Sequence, residues 1–276
     1  MSDQPDNASP NRHDGLAFGL AVPIGLLGGL IGLGGAEFRL PVLAGPLGYE
    51  PRRAVPLNLT ISLITLIASL AIRGRTLSLA PLVPFGYAIL AMAGGAIVAA
   101  FYGVAWSSRL TDKRLEQVIL ALLLGIGLAL AVESFLPQQA PGFVPGDIAW
   151  QAGAGVAFGM AIGLVSSLLG VAGGELIIPT LIFGFGADVR TAGTASLLIS
   201  LPPVLVGVIR FAQRGALSDH HAVRATVVPM GAGSILGAII GGLLVGVLPT
   251  ALLKLTLGIV LIVSALRIFN RARSHA

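Results

Sequence analysis

Two glycine-rich stretches, "GLIGLGGAEFRLP" (Gly29–Pro41) and "SLLGVAGGELIIP" (Ser167–Pro179), lie 138 residues apart in a chain of 276. At that offset, without a gap, Leu30 falls on Leu168, Gly32 on Gly170, Gly35 on Gly173, Glu37 on Glu175 and Pro41 on Pro179. The same register continues through "RAVPLNLTIS" (53–62) and "TAGTASLLIS" (191–200), where Ala54, Leu59, Ile61 and Ser62 recur. The chain is an internal duplication, so its fold is built twice from one plan. Each stretch also breaks the rules for an apolar helix. Glycines loosen it, a proline follows, and Glu37, Glu175 and Arg39 bring charge where charge is costly.

The surroundings place both breaks in a membrane. Charged residues make up 11% of the chain and hydrophobic ones 55%, whereas soluble domains carry roughly 25% charged residues. Apolar segments long enough to cross a ~30 Å hydrocarbon core run near 54–72, 79–104, 114–136, 191–209, 224–247 and 250–269. Two further regions, 15–48 and 148–186, hold two segments each, interrupted by the glycines. The pattern predicts an all-α membrane protein of two inverted repeats, each a Gly-broken helix hairpin plus three transmembrane helices. Its parts are a disordered N-terminal tail (1–14), repeat 1 (15–136), an external linker (137–147), repeat 2 (148–270) and a cytoplasmic tail (271–276). The polar N-terminus lacks the apolar run of a cleaved signal peptide. With no cysteine, disulfides and thiolate chemistry are excluded. The net charge of +5 is read as basic cytoplasmic loops, with no nucleic-acid partner.

Basic residues orient the spans. The linker "PQQAPGFVPGD" carries none and is placed outside. Counting spans from it puts Arg12, Arg52, Arg53, Arg109, Lys113, Arg114, Arg210, Arg214, Arg224, Arg267, Arg271 and Arg273 inside, against Arg73, Arg75 and Arg190 outside. Both termini are then cytoplasmic. Each broken region must begin and end on one side, which leaves an odd number of crossings per half and inverts the second half.

Inverted repeats with broken helices are the pattern of secondary transporters. Residues 16–31, if helical, rise ~24 Å, past the midplane. After the glycines a second half-helix begins near Ala36 and Gly174, and its first N–H groups lack intrahelical partners. Two such N-termini facing each other suit a small anion. The candidate substrate-binding residues are Gly34, Gly35, Ala36, Arg39, Asn58, Ser62, Gly173, Gly174, Ser196 and Ser200; Glu37 and Glu175 are candidates for proton coupling. The glutamates could equally complement the helix dipoles or, less readily, ligate Na⁺. Arg39 either binds the anion bidentately or neutralises Glu37, which it faces poorly at i+2. Asn58, Ser62, Thr65 and Ser69 form one polar stripe at i, i+4, i+7 and i+11, echoed by Thr194, Ser196 and Ser200. Such residues also serve simply to bond a neighbouring helix.

Other features read as structural. The glycine pairs 94–95 and 241–242 predict close helix packing, and Pro202–Pro203 a kink or an end to a span. His220–His221 beside Asp219 has the wrong spacing for a metal site. No residue set suggests catalysis, a metal or a cofactor. The oligomeric state is left open, with a homodimer allowed.

With "GLGGAEFRLP" and "GVAGGELIIP", followed by "AVPLN" and "AGTAS", the chain resembles the TauE/SafE sulfite exporter family of membrane permeases from about residue 15 to 270. Where a third consecutive glycine is frequent in that family, this chain has Ala36. The resemblance implies export of sulfite or an organosulfonate such as sulfoacetate from a bacterial cell across its inner membrane. The electrical gradient, negative inside, drives anions outward at ~2.3 kcal/mol per charge per 100 mV. A passive anion channel using the same tips is the alternative, and a non-transporting scaffold or receptor a third.

Overall fold

In the computed structural model, which describes residues 10–106, 128, 141–169, 173–218 and 223–274, those residues form helices and turns with no strand. In chain order they are α1 (Pro10–Ile31), α2 (Ala36–Ala44), α3 (Pro51–Thr76), a 3₁₀ turn (Ala80–Phe85), α4 (Gly86–Trp106), α5 (Ile148–Leu169), α6 (Gly174–Pro179, continued by a π turn over Thr180–Gly184), α7 (Val189–Gln213), a π turn (Val223–Val227), α8 (Val228–Leu244) and α9 (Thr250–Ser274). Among the described residues, five helical segments are long and apolar enough to cross a membrane: 14–31, 53–76, 80–99, 189–213 and 223–244. This is an all-α membrane protein.

The helix boundaries repeat the sequence offset. α1 and α5 coincide at both ends when shifted by 138 residues, and α2 with α6 and α3 with α7 begin in step. So do the turns before them: Gly35 and Gly173 have φ of 70° and 75°, and Gly48 and Gly186 have φ of 67° and 73°. Packing repeats as well, with the halves exchanging partners. Helix α1 of the first half lies along α8 of the second, while α5 of the second lies along α4 of the first. Helices α3 and α7, which correspond to each other, meet between these pairs.

Small residues permit these contacts. A Cβ at Gly25 would overlap Ser234, and one at Gly237 the Val22 carbonyl oxygen, so backbone rests directly on backbone. Gly159 and Gly163 approach Met92 and Ala96 in the same way. Between membrane helices there is little hydrophobic gain, so close van der Waals contact at such small residues is what associates them. The expected glycine packing is found at Gly95, Gly241 and Gly242, whereas Gly94 faces open space.

Other differences from the sequence reading are local. Helix α1 starts at Pro10, inside the stretch expected to be a tail, and is about 33 Å long at 1.5 Å per residue. Helix α7 continues past Pro202–Pro203 to Gln213, so the pair does not end the span. The linker's Phe143 and Val144 donate N–H groups to the Phe183 and Gly184 carbonyls, so its described part is pinned to the end of α6. The His220–His221 pair and Gly170 lie outside the described residues.

Gly237→Val should force α1 from α8 and cost about 1–3 kcal/mol, as overpacking typically does. Gly94→Ala should change stability by less than about 1 kcal/mol. Thermal unfolding of the two variants in detergent checks the difference.

Candidate functional site

The break in α1 is made by Gly32, with φ of 95°, and Gly35, with φ of 70°, on either side of Leu33–Gly34. No L-side chain adopts these angles readily. The Gly35 carbonyl then accepts the Arg39 N–H at 3.1 Å, and the Gly173 carbonyl accepts the Ile177 N–H at 3.1 Å. Both half-helices therefore start from a left-handed glycine, which has no side chain to act as the cap. At the second tip the Gly173 carbonyl also takes the Leu176 N–H, at 3.1 Å.

The first tip reaches the second half of the protein. Leu33 packs on Gly174, the first residue of α6: a Cβ there would lie 3.1 Å from the Leu33 side chain and 3.3 Å from Ser196 Oγ. Gly32 meets Gly193 of α7 backbone to backbone. Ala36, at the start of α2, is buried in a cluster with Leu59, Leu66, Leu197 and Val204. Gly34, Gly35, Gly173 and Gly174 are all buried.

The two halves use equivalent residues differently. Asn58 donates to the Ala36 carbonyl at 3.1 Å; its counterpart Ser196 sits beside Gly174, the counterpart of Ala36. Ser196 and Ser200 are buried, and neither hydroxyl has a hydrogen-bond partner among the described residues. Ser62, the counterpart of Ser200, is engaged. It accepts from Arg39 Nη1 at 2.9 Å and donates to the Asn58 carbonyl at 2.8 Å.

Arg39 is wholly buried in a cradle of hydroxyls. Its Nη2 donates to Thr65 Oγ1 at 3.0 Å and to Ser234 Oγ at 3.3 Å. Thr65 spends its own proton on the Ile61 carbonyl at 2.8 Å. A hydroxyl has one donor and two acceptor lone pairs, so Ser62 and Thr65 bond back into α3 and still accept from the guanidinium. The polar stripe of α3 is thus chiefly a seat for Arg39. No hydrogen bond joins this cluster to Ser196 among the described residues. Glu37, two residues before Arg39, has both carboxylate oxygens buried without a hydrogen-bond partner. Glu175 is buried, with 6% of its surface exposed.

Against known proteins, the family model for the sulfite exporter TauE/SafE matches residues 3–130 and 154–276, both broken helices included. The chain belongs to this family. It is therefore a multi-pass membrane transporter and not an enzyme. No curated protein and no solved structure gives a significant match.

Two participants escaped the sequence reading of this TauE/SafE chain. Ser234 sits on α8, within the apolar segment 224–247, and nothing in its neighbourhood signals an arginine 195 residues away. Arg73 was placed in an external loop, and that placement is corrected. It is 0% exposed and held inside because α3 continues to Thr76, carrying the guanidinium against the broken end of α1. The signal available was its position within one turn of an apolar run, where a long side chain reaches back into the bundle.

Thr65→Val keeps the shape of the cradle and removes an acceptor of a buried cation. It should lower stability by about 1–3 kcal/mol, read as a fall in unfolding temperature in detergent, with Ser69→Ala nearby as the milder control.

Proposed function

We propose that this protein exports a small sulfur-containing anion, sulfite or an organosulfonate such as sulfoacetate, by alternating access of two inverted halves, with both termini in the cytoplasm of a bacterial cell and the bilayer its inner membrane. The observation that carries this reading is the meeting of the two helix breaks. The Gly32–Gly35 tip touches the N-terminus of α6 beside the unpartnered hydroxyl of Ser196, with the unpartnered Ser200 hydroxyl one turn further along α7. Uncapped N–H groups carry partial positive charge, and free hydroxyls donate to oxyanions. A tetrahedral or pyramidal sulfur oxyanion offers acceptors to both at once. Gly34, Gly35 and Ala36 serve from the first tip, Gly173 and Gly174 from the second.

Arg39 contributes charge. With its hydrogen bonds to neutral hydroxyls, it keeps a positive field near the tip, and Asn58 and Ser62 hold α2 and Arg39 in place. Glu37, buried without a hydrogen-bond partner, is the proton-coupling residue of the first half, with Glu175 its counterpart. A charged carboxylate next to an anion is repulsive, so anion and proton bind together. Burial of Arg73 leaves Arg75 and Arg190 as the outward basic residues, which favours the proposed orientation.

Calorimetric titration of the purified protein with sulfite, sulfoacetate, taurine and sulfate tests this. One sulfur anion should bind saturably, and more weakly as pH rises, because the site then has to take up its proton from a scarcer supply. Glu37→Gln or Glu175→Gln should remove that pH dependence. Binding that is pH-independent in wild type and both variants would sink the coupling. Flux in proteoliposomes that never saturates and never runs uphill would favour a channel.

A further inference from the structure

Arg73 has no part in that site, yet it is one of the most enclosed polar side chains described. Its Nε donates to the Gly29 carbonyl and its Nη2 to the Leu30 carbonyl, both at 2.9 Å. Its Nη1 donates to the Arg190 carbonyl at 3.2 Å and to Thr194 Oγ1 at 2.8 Å. One guanidinium thus ties the broken end of α1, in the first half, to the first turns of α7, in the second. None of the four acceptors is a carboxylate; carbonyls at the negative end of α1 hold the guanidinium, and the nearby Asp188 carboxylate acts on it only through space. The guanidinium rests on bare backbone at Gly193, where a Cβ would come within 2.8 Å of Nη1. Gly193, Ser196 and Ser200 follow at i, i+3 and i+7 on one face of α7. Gly193, on which Arg73 rests, thus stands about one helical turn before Ser196.

Beyond Arg73 opens a cavity of about 230 Å³, lined by Leu77, Ser78, Leu82, Asp188, Arg190 and Thr194 among others. Thr194 both lines it and accepts from Arg73. Asp188 is occupied as the N-cap of α7. It accepts from the Arg190 N–H at 2.9 Å, from the Thr191 N–H at 3.2 Å and from the Thr191 hydroxyl. Arg190 donates Nη2 to the Leu248 carbonyl at 2.7 Å and has an Nε without a partner. The acid in the wall is turned to its own helix, while the cation keeps a donor in reserve.

We propose that this cavity is the vestibule through which the anion passes to or from the helix-tip site, and that Arg73 is the gate between them. This rests on the transport reading. An anion moving from the vestibule toward Ser196 meets Arg73 first and draws its donors from the Gly29 and Leu30 carbonyls. The same exchange unties the first broken helix from α7, so passage of negative charge and release of the two halves are one event. A cation is repelled by the guanidinium, and a neutral molecule offers only the kind of oxygen Arg73 already holds, so neither gains by breaking the tie.

The chain has no cysteine, so single cysteines report the route without background. Ser78→Cys marks the vestibule and Ser196→Cys the space behind the gate. Purified protein would be labelled with a sulfonate-bearing and a quaternary-ammonium methanethiosulfonate, each rate divided by that of the reagent with a small free thiol. At Ser78→Cys the sulfonate reagent should be favoured about tenfold by the local field. Ser196→Cys should react slowly, and adding Arg73→Gln should speed it about tenfold or more, as loss of hydrogen bonds from a charged group allows. Arg73→Lys should stay closer to the slow rate. If Arg73→Gln does not fold, Thr194→Val, which removes one acceptor, should move the Ser196→Cys rate in the same direction. Labelling of Ser196→Cys that ignores both Arg73 and Thr194, or preference for the cationic reagent at Ser78→Cys, overturns the gate. The assay needs no substrate, so intact anion binding with charge-blind labelling would reject the gate and leave the transport reading standing.

Discussion

A helix broken inside a membrane exposes carbonyls on one side of the break and N–H groups on the other, with no water to take either. How a chain satisfies these two sets decides what the break is for. Here the carbonyl side is answered from within the protein: Arg73 takes Gly29 and Leu30. On the N–H side, the half-helices open from left-handed glycines, Gly35 and Gly173, which have no side chain to cap them, and the buried hydroxyls of Ser196 and Ser200 have no partner among the described residues. These hydroxyls and helix ends are the donors that the proposed anion would use.

The same glycines that break the helices also let the halves interlock. Helix α1 of one half lies in glycine-lined contact with α8 of the other, and α5 with α4. Each broken helix is thereby supported by its partner half rather than by its own. Rigid contact along these pairs, together with a small polar tie at Arg73, concentrates any relative movement at the tips, where Gly32 and Gly193 touch through backbone alone. That is where movement would alter access to a bound anion.

Much of this was legible because the duplication and the glycines act locally. A residue held at positive φ stops a helix wherever it stands, so the two breaks, the starts of α2 and α6 and the shared offset follow from sequence position. Periodicity likewise marked the stripe of Asn58, Ser62, Thr65 and Ser69. What the stripe serves was not legible, because Arg39 reaches it from another helix and completes its shell with Ser234, and such a partnership leaves no trace in spacing. Arg73 was misplaced for a related reason. Counting basic residues treats an arginine near the end of an apolar run as loop charge, yet its side chain is long enough to lie back among buried carbonyls. The full length of α1 was also underestimated, since its first turn is built from polar residues that hydropathy excludes.

The departures between the halves carry as much meaning as the likeness. Arg39 corresponds to Ile177 and Arg73 to Phe211, so both buried guanidiniums belong to the first half. Ser62 is spent on Arg39; Ser200, with isoleucine in its repeat where the arginine would be, is left unbonded. A perfectly symmetric duplication would have presented either two cations or two sets of free hydroxyls to the centre. The arginines on one side only make the halves unlike: the first carries buried positive charge, held by hydroxyls and carbonyls, and the second carries buried hydroxyls without partners among the described residues. Under the proposed transport reading, an anion held between them would be attracted by one half and hydrogen-bonded by the other, and would leave without either half giving up a salt bridge.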